Sequence, residues 1–202
     1  VLEKVTAIVT RQTAQGRELL LFEHPFAGIQ FPAGTVEEGE SPEVAAQREA
    51  AEETGLSGLI LAGFLGQRVE QWPEHHTATL TDAQVYARPD PASFNWAYIR
   101  KGIMVRREGR QENGYTLITY QEYDHTLHPQ YISFQITGWV AEQTLARQGM
   151  RYFYHLVCPV ETPPRWTVDI DHHRFTLFWS PVSALPEITA PQSAWLDFLP
   201  RF

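Results

Sequence analysis

Residues 34–56 read Gly34-Thr-Val-Glu-Glu-Gly-Glu40-Ser-Pro-Glu-Val-Ala-Ala-Gln-Arg48-Glu49-Ala-Ala-Glu52-Glu53-Thr-Gly55-Leu56. Ser41-Pro42 opens a helix, because serine is a favoured N-cap and proline suits the first helical turn. Ala45, Ala46, Ala50 and Ala51 are strong helix formers. Gly55, just after Thr54, suits a left-handed C-cap. The spacing therefore predicts a helix over Pro42–Thr54. On it Glu49, Glu52 and Glu53 stand at i, i+3 and i+4 and share a face. Three carboxylates so placed repel one another, and they lie in the last turns, where the helix dipole disfavours negative charge. Propensity gives no reason to build this. A hard divalent cation does, because Mg²⁺ or Mn²⁺ takes oxygen ligands and shares them with substrate phosphates. For three glutamates alone a solvated acidic face is the plainer reading. Seven Glu and one Arg within 23 residues, with glycines at both ends of a loop–helix unit, turn the balance toward a site.

The stretch resembles the Nudix box, matching it at Gly34, Glu40, Arg48, Glu49, Glu52, Glu53 and Gly55. Ala50 departs from the pattern, where a larger aliphatic residue is usual. Phe31-Pro32-Ala33 resembles the family's approach to the box. The likeness covers about residues 5–60 and returns more weakly at 152–157 and 175–182. It implies an α/β fold, an α/β/α sandwich around a mixed sheet, here as one domain over residues 1–202. An insertion at about 73–150 would enlarge it after the strand that follows the box.

The resemblance also implies an enzyme, a pyrophosphohydrolase that cleaves a nucleoside diphosphate linked to another moiety, with Mg²⁺ or Mn²⁺ as cofactor. By that likeness Glu49, Glu52 and Glu53 are metal ligands, and the backbone carbonyl of Ala33 adds another. Arg48 completes the catalytic set, orienting Glu49 or Glu52 by charge-assisted hydrogen bonds. Glu40 reaches back to the loop or to Arg48. Gly34 and Gly55 make turns where a side chain would clash or strain. The general base is open between a box glutamate and a later group. Asp169, Asp171 and Glu161 are candidates, with His172 as an outsider, against the plainer reading of each as a solvated loop residue. Pro32-Ala33-Gly34, and Pro73 17 residues beyond Leu56, resemble the ADP-ribose-cleaving branch. They favour ADP-ribose or a nucleotide sugar slightly. Two alternatives stay open. An inactive nucleotide-binding or regulatory module would be expected to have lost a metal glutamate. An isomerase of isoprenoid diphosphates would want an active-site cysteine.

Working outward, Val5–Thr10 and Leu19–Phe22 are β-rich runs around the turn signal Thr13-Ala14-Gln15-Gly16, and predict a hairpin. A short strand is expected at Ile29–Phe31, a longer one at Leu59–Gln71, and a hairpin around Asn113-Gly114. Further strands are expected at Tyr131–Ile136, Tyr152–Val157 and Phe175–Trp179. Short helices are expected over Gly138–Gln148 and Pro191–Leu199. Within 73–150, Arg100, Lys101, Arg106, Arg107 and Arg110 form a local basic stretch. Arg106 and Arg107 are candidates for substrate phosphates, against the plainer reading of a solvated hairpin. Trp72, Trp96, Tyr98 and Tyr123 are candidates for stacking on a base, against core packing. His75-His76 and His172-His173 lack zinc-ligand spacing.

Of 202 residues, 24 are acidic and 16 basic, a formal charge of -8. The box supplies -6 of it, so the acidity is one concentrated site rather than a general property. A small, metal-escorted nucleotide is the expected partner, with no long nucleic acid, no membrane, and a homodimer left open. Lone Cys158 excludes an internal disulfide framework and a cysteine-rich zinc site. The longest apolar run, near Leu59–Leu65, is too short to span a bilayer. The cytoplasm is the expected setting.

Overall fold

The computed structural model describes residues 1–124, 131–170 and 173–200. In chain order these form β1 (Leu2–Thr13), β2 (Gly16–His24), β3 (Gly28–Gln30), β4 (Ala33–Thr35), the helix α1 (Pro42–Thr54), β5 (Ile60–Glu70), β6 (His76–Ala78), β7 (Ala83–Tyr86) and β8 (Asn95–Ile99). There follow β9 (Met104–Glu112), β10 (Tyr115–Asp124), β11 (Tyr131–Ala141), β12 (Gly149–Val157), β13 (Arg165–Ile170) and β14 (His173–Pro181). An eight-stranded mixed sheet runs β13-β14-β2-β1-β12-β5, with β3 on β2 and β4 on β1. A curled antiparallel sheet runs β6-β9-β10-β11-β7-β8. The chain forms two compact units, Glu3–Arg68 with Arg151–Phe202, and Val1–Leu2 with Val69–Met150.

In the first unit the expected hairpin is present, with Thr13 opposite Gly16 at its turn. The run Val5–Thr10 is continuously apolar or buried because both faces of β1 are covered, as a strand central to a sandwich requires. Ala7, Val9, Leu20 and Phe22 pack with Ala50 of α1 on one face. Ile8, Leu19 and Leu21 pack with Phe153 and Trp195 on the other. Each large apolar side chain buried here contributes roughly 1.5–3 kcal/mol. The expected helix near the end is a 3-10 helix, Gln192–Phe198, rather than an α-helix. Its anchors Trp195 and Phe198 stand three apart, a spacing that a three-residue turn also places on one side. Phe198 stacks on Phe153 with ring centroids 3.9 Å apart. α1 and this segment are thus the outer layers of an α/β sandwich.

In the second unit the hairpin of β9 and β10 turns at Asn113 (φ 49°) and Gly114 (φ 78°), the two left-handed positions of a type I′ turn. The helix expected over Gly138–Gln148 is not formed. Gly138 to Ala141 instead extend β11, with Gly138 opposite Ile118, and only Glu142–Thr144 make a 3-10 turn. Pairing with β10 overrides the local helix signal. The glycine itself has a packing reason, since a Cβ on Gly138 would lie 2.5 Å from Val85 Cγ1. The core of this sheet is Val85, Ile99, Val105, Ile118, Ile136 and Val140.

Candidate active site

α1 has the ends its sequence predicts. Ser41 Oγ accepts from the Val44 N–H at 3.3 Å, and Gly55 takes the left-handed conformation at φ 68°. Trp166 of β13 donates its indole N–H to the Thr54 carbonyl at 2.8 Å, satisfying one of the last helical acceptors. The buried face is Ala45, Ala46, Ala50 and Thr54. These small residues, Ala50 included, let the helix lie close to the sheet. The acidic face is left to the loop that precedes it.

Arg48 is the hub of that face. Its Nε donates to Glu40 Oε1 at 2.9 Å and its Nη2 to Glu40 Oε2 at 3.0 Å, a fork on one carboxylate. Nη1 donates to both Glu49 Oε1 and Glu52 Oε2 at 3.0 Å. Nη2 also reaches the Thr35 carbonyl at 3.1 Å, tying helix to loop. Sequence left Arg48 a choice between Glu49 and Glu52; it holds both. Glu40 likewise reaches both targets, since its Oε2 also accepts from the Glu37 N–H at 3.0 Å. Glu49 accepts from the Thr35 N–H at 3.2 Å, and Glu53 from the Ala33 N–H at 2.7 Å. Gly34 is required for space rather than for φ. A Cβ there would sit 1.9 Å from the Glu49 carboxyl carbon.

The electrostatics are lopsided. Burial pushes the Glu53 carboxyl up to about 8, with the Glu49 and Glu52 charges adding to it, against the Ala33 N–H and Arg151. Burial also pushes Glu49 up, against the pull of Arg48. Arg48 holds three of the four carboxylates here, and Arg151 acts on the fourth, Glu53. Among the described residues no three His, Cys, Asp or Glu side chains are gathered around one point that could hold a metal ion. Glu49 and Glu52 are drawn onto Arg48, and Glu53 onto the Ala33 amide. The donor chemistry nevertheless fits a hard divalent cation. Glu49, Glu52 and Glu53 offer carboxylate oxygens on one helical face, and negative charge outnumbers positive around them.

Arg151 was not legible as a site residue. It is buried in β12, donating to the Val5 carbonyl at 2.8 Å and Thr6 Oγ1 at 3.0 Å, with its guanidinium 4.2 Å from the Trp195 ring centroid. Its charge favours the ionised form of Glu53. The signal available was parity: Gly149, Arg151 and Phe153 alternate onto one buried side of β12.

The other candidates are placed differently. Arg107 forks onto Glu142 at 3.2 and 3.0 Å, and Arg106 Nε donates to Glu108 at 2.9 Å. Trp72 packs beside Leu80, where a Cβ on Gly149 would meet its ring at 2.9 Å. All three belong to the Val69–Met150 unit. Asp169 is exposed and paired with Arg174 Nε at 2.9 Å, which holds its carboxyl low. Glu161 is exposed on the segment after β12. Asp171 and His172 lie outside the described residues. Cys158 is buried beside Leu156 and Leu177.

Residues 2–92 match the family model of the NUDIX domain. The chain carries a Nudix domain. Over 43 residues it is 56% identical to an RNA pyrophosphohydrolase of Caulobacter vibrioides, covering 21% of this chain and 23% of that one. Over 32 residues it is 63% identical to an ADP-sugar pyrophosphatase of Mus musculus, covering 16% and 15%. The chain thus spans under a quarter of the length of the curated relatives it matches. A solved Nudix structure, the domain of Shewanella oneidensis NrtR complexed with ADP ribose, aligns at TM-score 0.46 and 13% identity, over 98% of this chain and 84% of that one. No helix of the described residues is long and apolar enough to cross a membrane.

Proposed function

We propose that this Nudix domain is a metal-dependent pyrophosphohydrolase acting on a nucleoside diphosphate linked to another moiety, within one domain that carries an insertion at about 73–150. The observation that carries the reading is the complete acidic face of α1. Glu49, Glu52 and Glu53 are all present on one helix. These three glutamates, with the Ala33 carbonyl, would hold Mg²⁺ or Mn²⁺. Such an ion polarises phosphoryl oxygens and lowers the pKa of a bound water. The chain's own residues do the rest. Arg48 fixes the Glu49 and Glu52 carboxylates against rotation and ties them to the Thr35 carbonyl. The Ala33 N–H fixes Glu53. Gly34 leaves the room that Glu49 occupies. A box carboxylate takes the proton from the attacking water, a step worth ~10²–10⁴-fold in rate. The Pro32-Ala33-Gly34 approach and Pro73 favour ADP-ribose or a nucleotide sugar as substrate.

A second reading is a nucleotide-binding module without turnover. The grip of Arg48 on two of the three metal glutamates is the observation that favours it. A substrate panel with Mg²⁺ and with Mn²⁺ separates the two. It should hold ADP-ribose, nucleotide sugars, dinucleoside polyphosphates, nucleoside triphosphates and capped RNA. Turnover of at least one, abolished by EDTA, is the expected result. Metal binding without turnover of any would favour the module.

A further inference from the structure

The Val69–Met150 unit holds a cavity of about 320 Å³ that the proposed hydrolysis does not use. It opens on the face of the curled sheet that also carries that unit's core. Ile99 and Ile136 form its apolar floor. Tyr120 and Phe134 form an aromatic wall, with ring centroids 6.3 Å apart. Phe134 and Tyr98 line the same cavity, yet are 49% and 62% exposed. Water-facing aromatic rings on an apolar floor are a stacking surface, and stacking a base on such a ring is worth ~1–3 kcal/mol.

The polar groups at this cavity are two of opposite kind. The Tyr120 hydroxyl donates to Glu122 Oε1 at 2.5 Å, which fixes that carboxylate and leaves Oε2 and a second lone pair of Oε1 as acceptors. Arg100 lines the same cavity and forms no ion pair among the described residues. A ligand that uses both groups presents N–H or O–H donors to the carboxylate and an acceptor oxygen or nitrogen to the guanidinium, and the aromatic rings select a planar body. A cavity at the lower end of the usual ligand range of ~300–1,000 Å³ takes a base or a nucleoside.

We propose that this cavity binds a nucleobase of the guanine type, stacked on Phe134 and Tyr98, with its two adjacent N–H groups on Glu122 and its carbonyl edge toward Arg100. An arginine on the carbonyl and ring nitrogen of guanine is a common specific pairing. Adenine offers no such pair of adjacent donors. The site is independent of the metal-dependent reaction at α1.

Calorimetric titration of the full chain with guanosine, in EDTA, tests this. One saturable site is expected, at least tenfold weaker for adenosine. Glu122→Gln and Phe134→Ala should each weaken guanosine at least tenfold. Both side chains are exposed and Glu122→Gln keeps its shape, so a matching Tm serves as the folding control. Glu52→Gln, on the acidic face of α1, should leave guanosine binding unchanged. Absent binding, equal affinity for adenosine, indifference to both cavity variants, or loss of binding in Glu52→Gln would overturn the proposal.

Discussion

Arg107 and Arg48 both hold carboxylates, and they do so on opposite terms. Arg107 faces Glu142 one to one, in a fork of 3.2 and 3.0 Å, and the Thr116 hydroxyl joins the same carboxylate. Burial pushes Glu142 up, but Thr116 and Arg107 outweigh it and hold the carboxyl below its ordinary value. Arg48 contacts Glu40, Glu49 and Glu52, while Glu53 beside them feels only the more weakly acting charge of Arg151. There burial wins, and Glu49 and Glu53 rise. The first cluster is balanced and complete as it stands. The second is short of positive charge. A fold has no reason to keep an unbalanced cluster for stability, since a charge held without a partner is costly. The imbalance is what a cation-binding site requires.

The sharpest way to break this comparison is to remove charge from the unbalanced cluster. Glu52→Gln and Glu53→Gln should each lower kcat by ~10²–10⁴-fold while the protein still folds. Steady-state kinetics with circular dichroism on the same samples would check it, and activity surviving both changes refutes the assignment. Gly34→Ala comes next. The added Cβ displaces the Glu49 carboxylate without removing a ligand, so metal affinity should fall ~10–100-fold, the scale of a disturbed supporting contact.

The pH dependence of the metal-free protein should follow the same imbalance. Glu53 has its folded-state pKa raised from 4.5 to about 8. The folded state therefore binds the proton more tightly than the unfolded one. Its favourable contribution is full below about 4.5 and is lost as pH rises through about 8. In EDTA, the urea midpoint of the wild type should fall across that window relative to Glu53→Gln. The balanced pair gives the smallest effect. Arg107→Ala should cost about 0.5–1 kcal/mol in urea unfolding, since the pair is partly exposed and screened. It should leave kcat and KM unchanged if Arg107 serves only Glu142. A raised KM would instead place Arg107 on the substrate, and Arg106→Ala and Trp72→Ala read in the same assay would test those two residues separately.

What was legible in the sequence was whatever is settled locally. The cap at Ser41-Pro42, the alanines and Gly55 bound α1 at both ends. Gln15-Gly16 and Asn113-Gly114 close their hairpins by backbone conformation alone. The acidic face followed from helical spacing. The rest depends on partners distant in sequence. Gly138 to Ala141 carry a helix signal but pair with β10. Pro191–Leu199 has apolar anchors whose spacing suits two kinds of helix, and the stack on Phe153 accompanies the tighter one. β13 was missed although Trp166, Val168 and Ile170 alternate inward. Arg151 reads as a surface cation until the parity of β12 puts it among Thr6, Trp195 and Glu53.

The most direct test of the missing charge is a Mn²⁺ titration of the full chain followed by thermal unfolding. An ion that binds only the folded state at a hundred times its Kd adds about 2.7 kcal/mol. The wild type should show a saturable rise in Tm with Mn²⁺, and Glu53→Gln should show little or none. No rise in the wild type, or an equal rise in the variant, would contradict the reading of the α1 acidic face as a metal site.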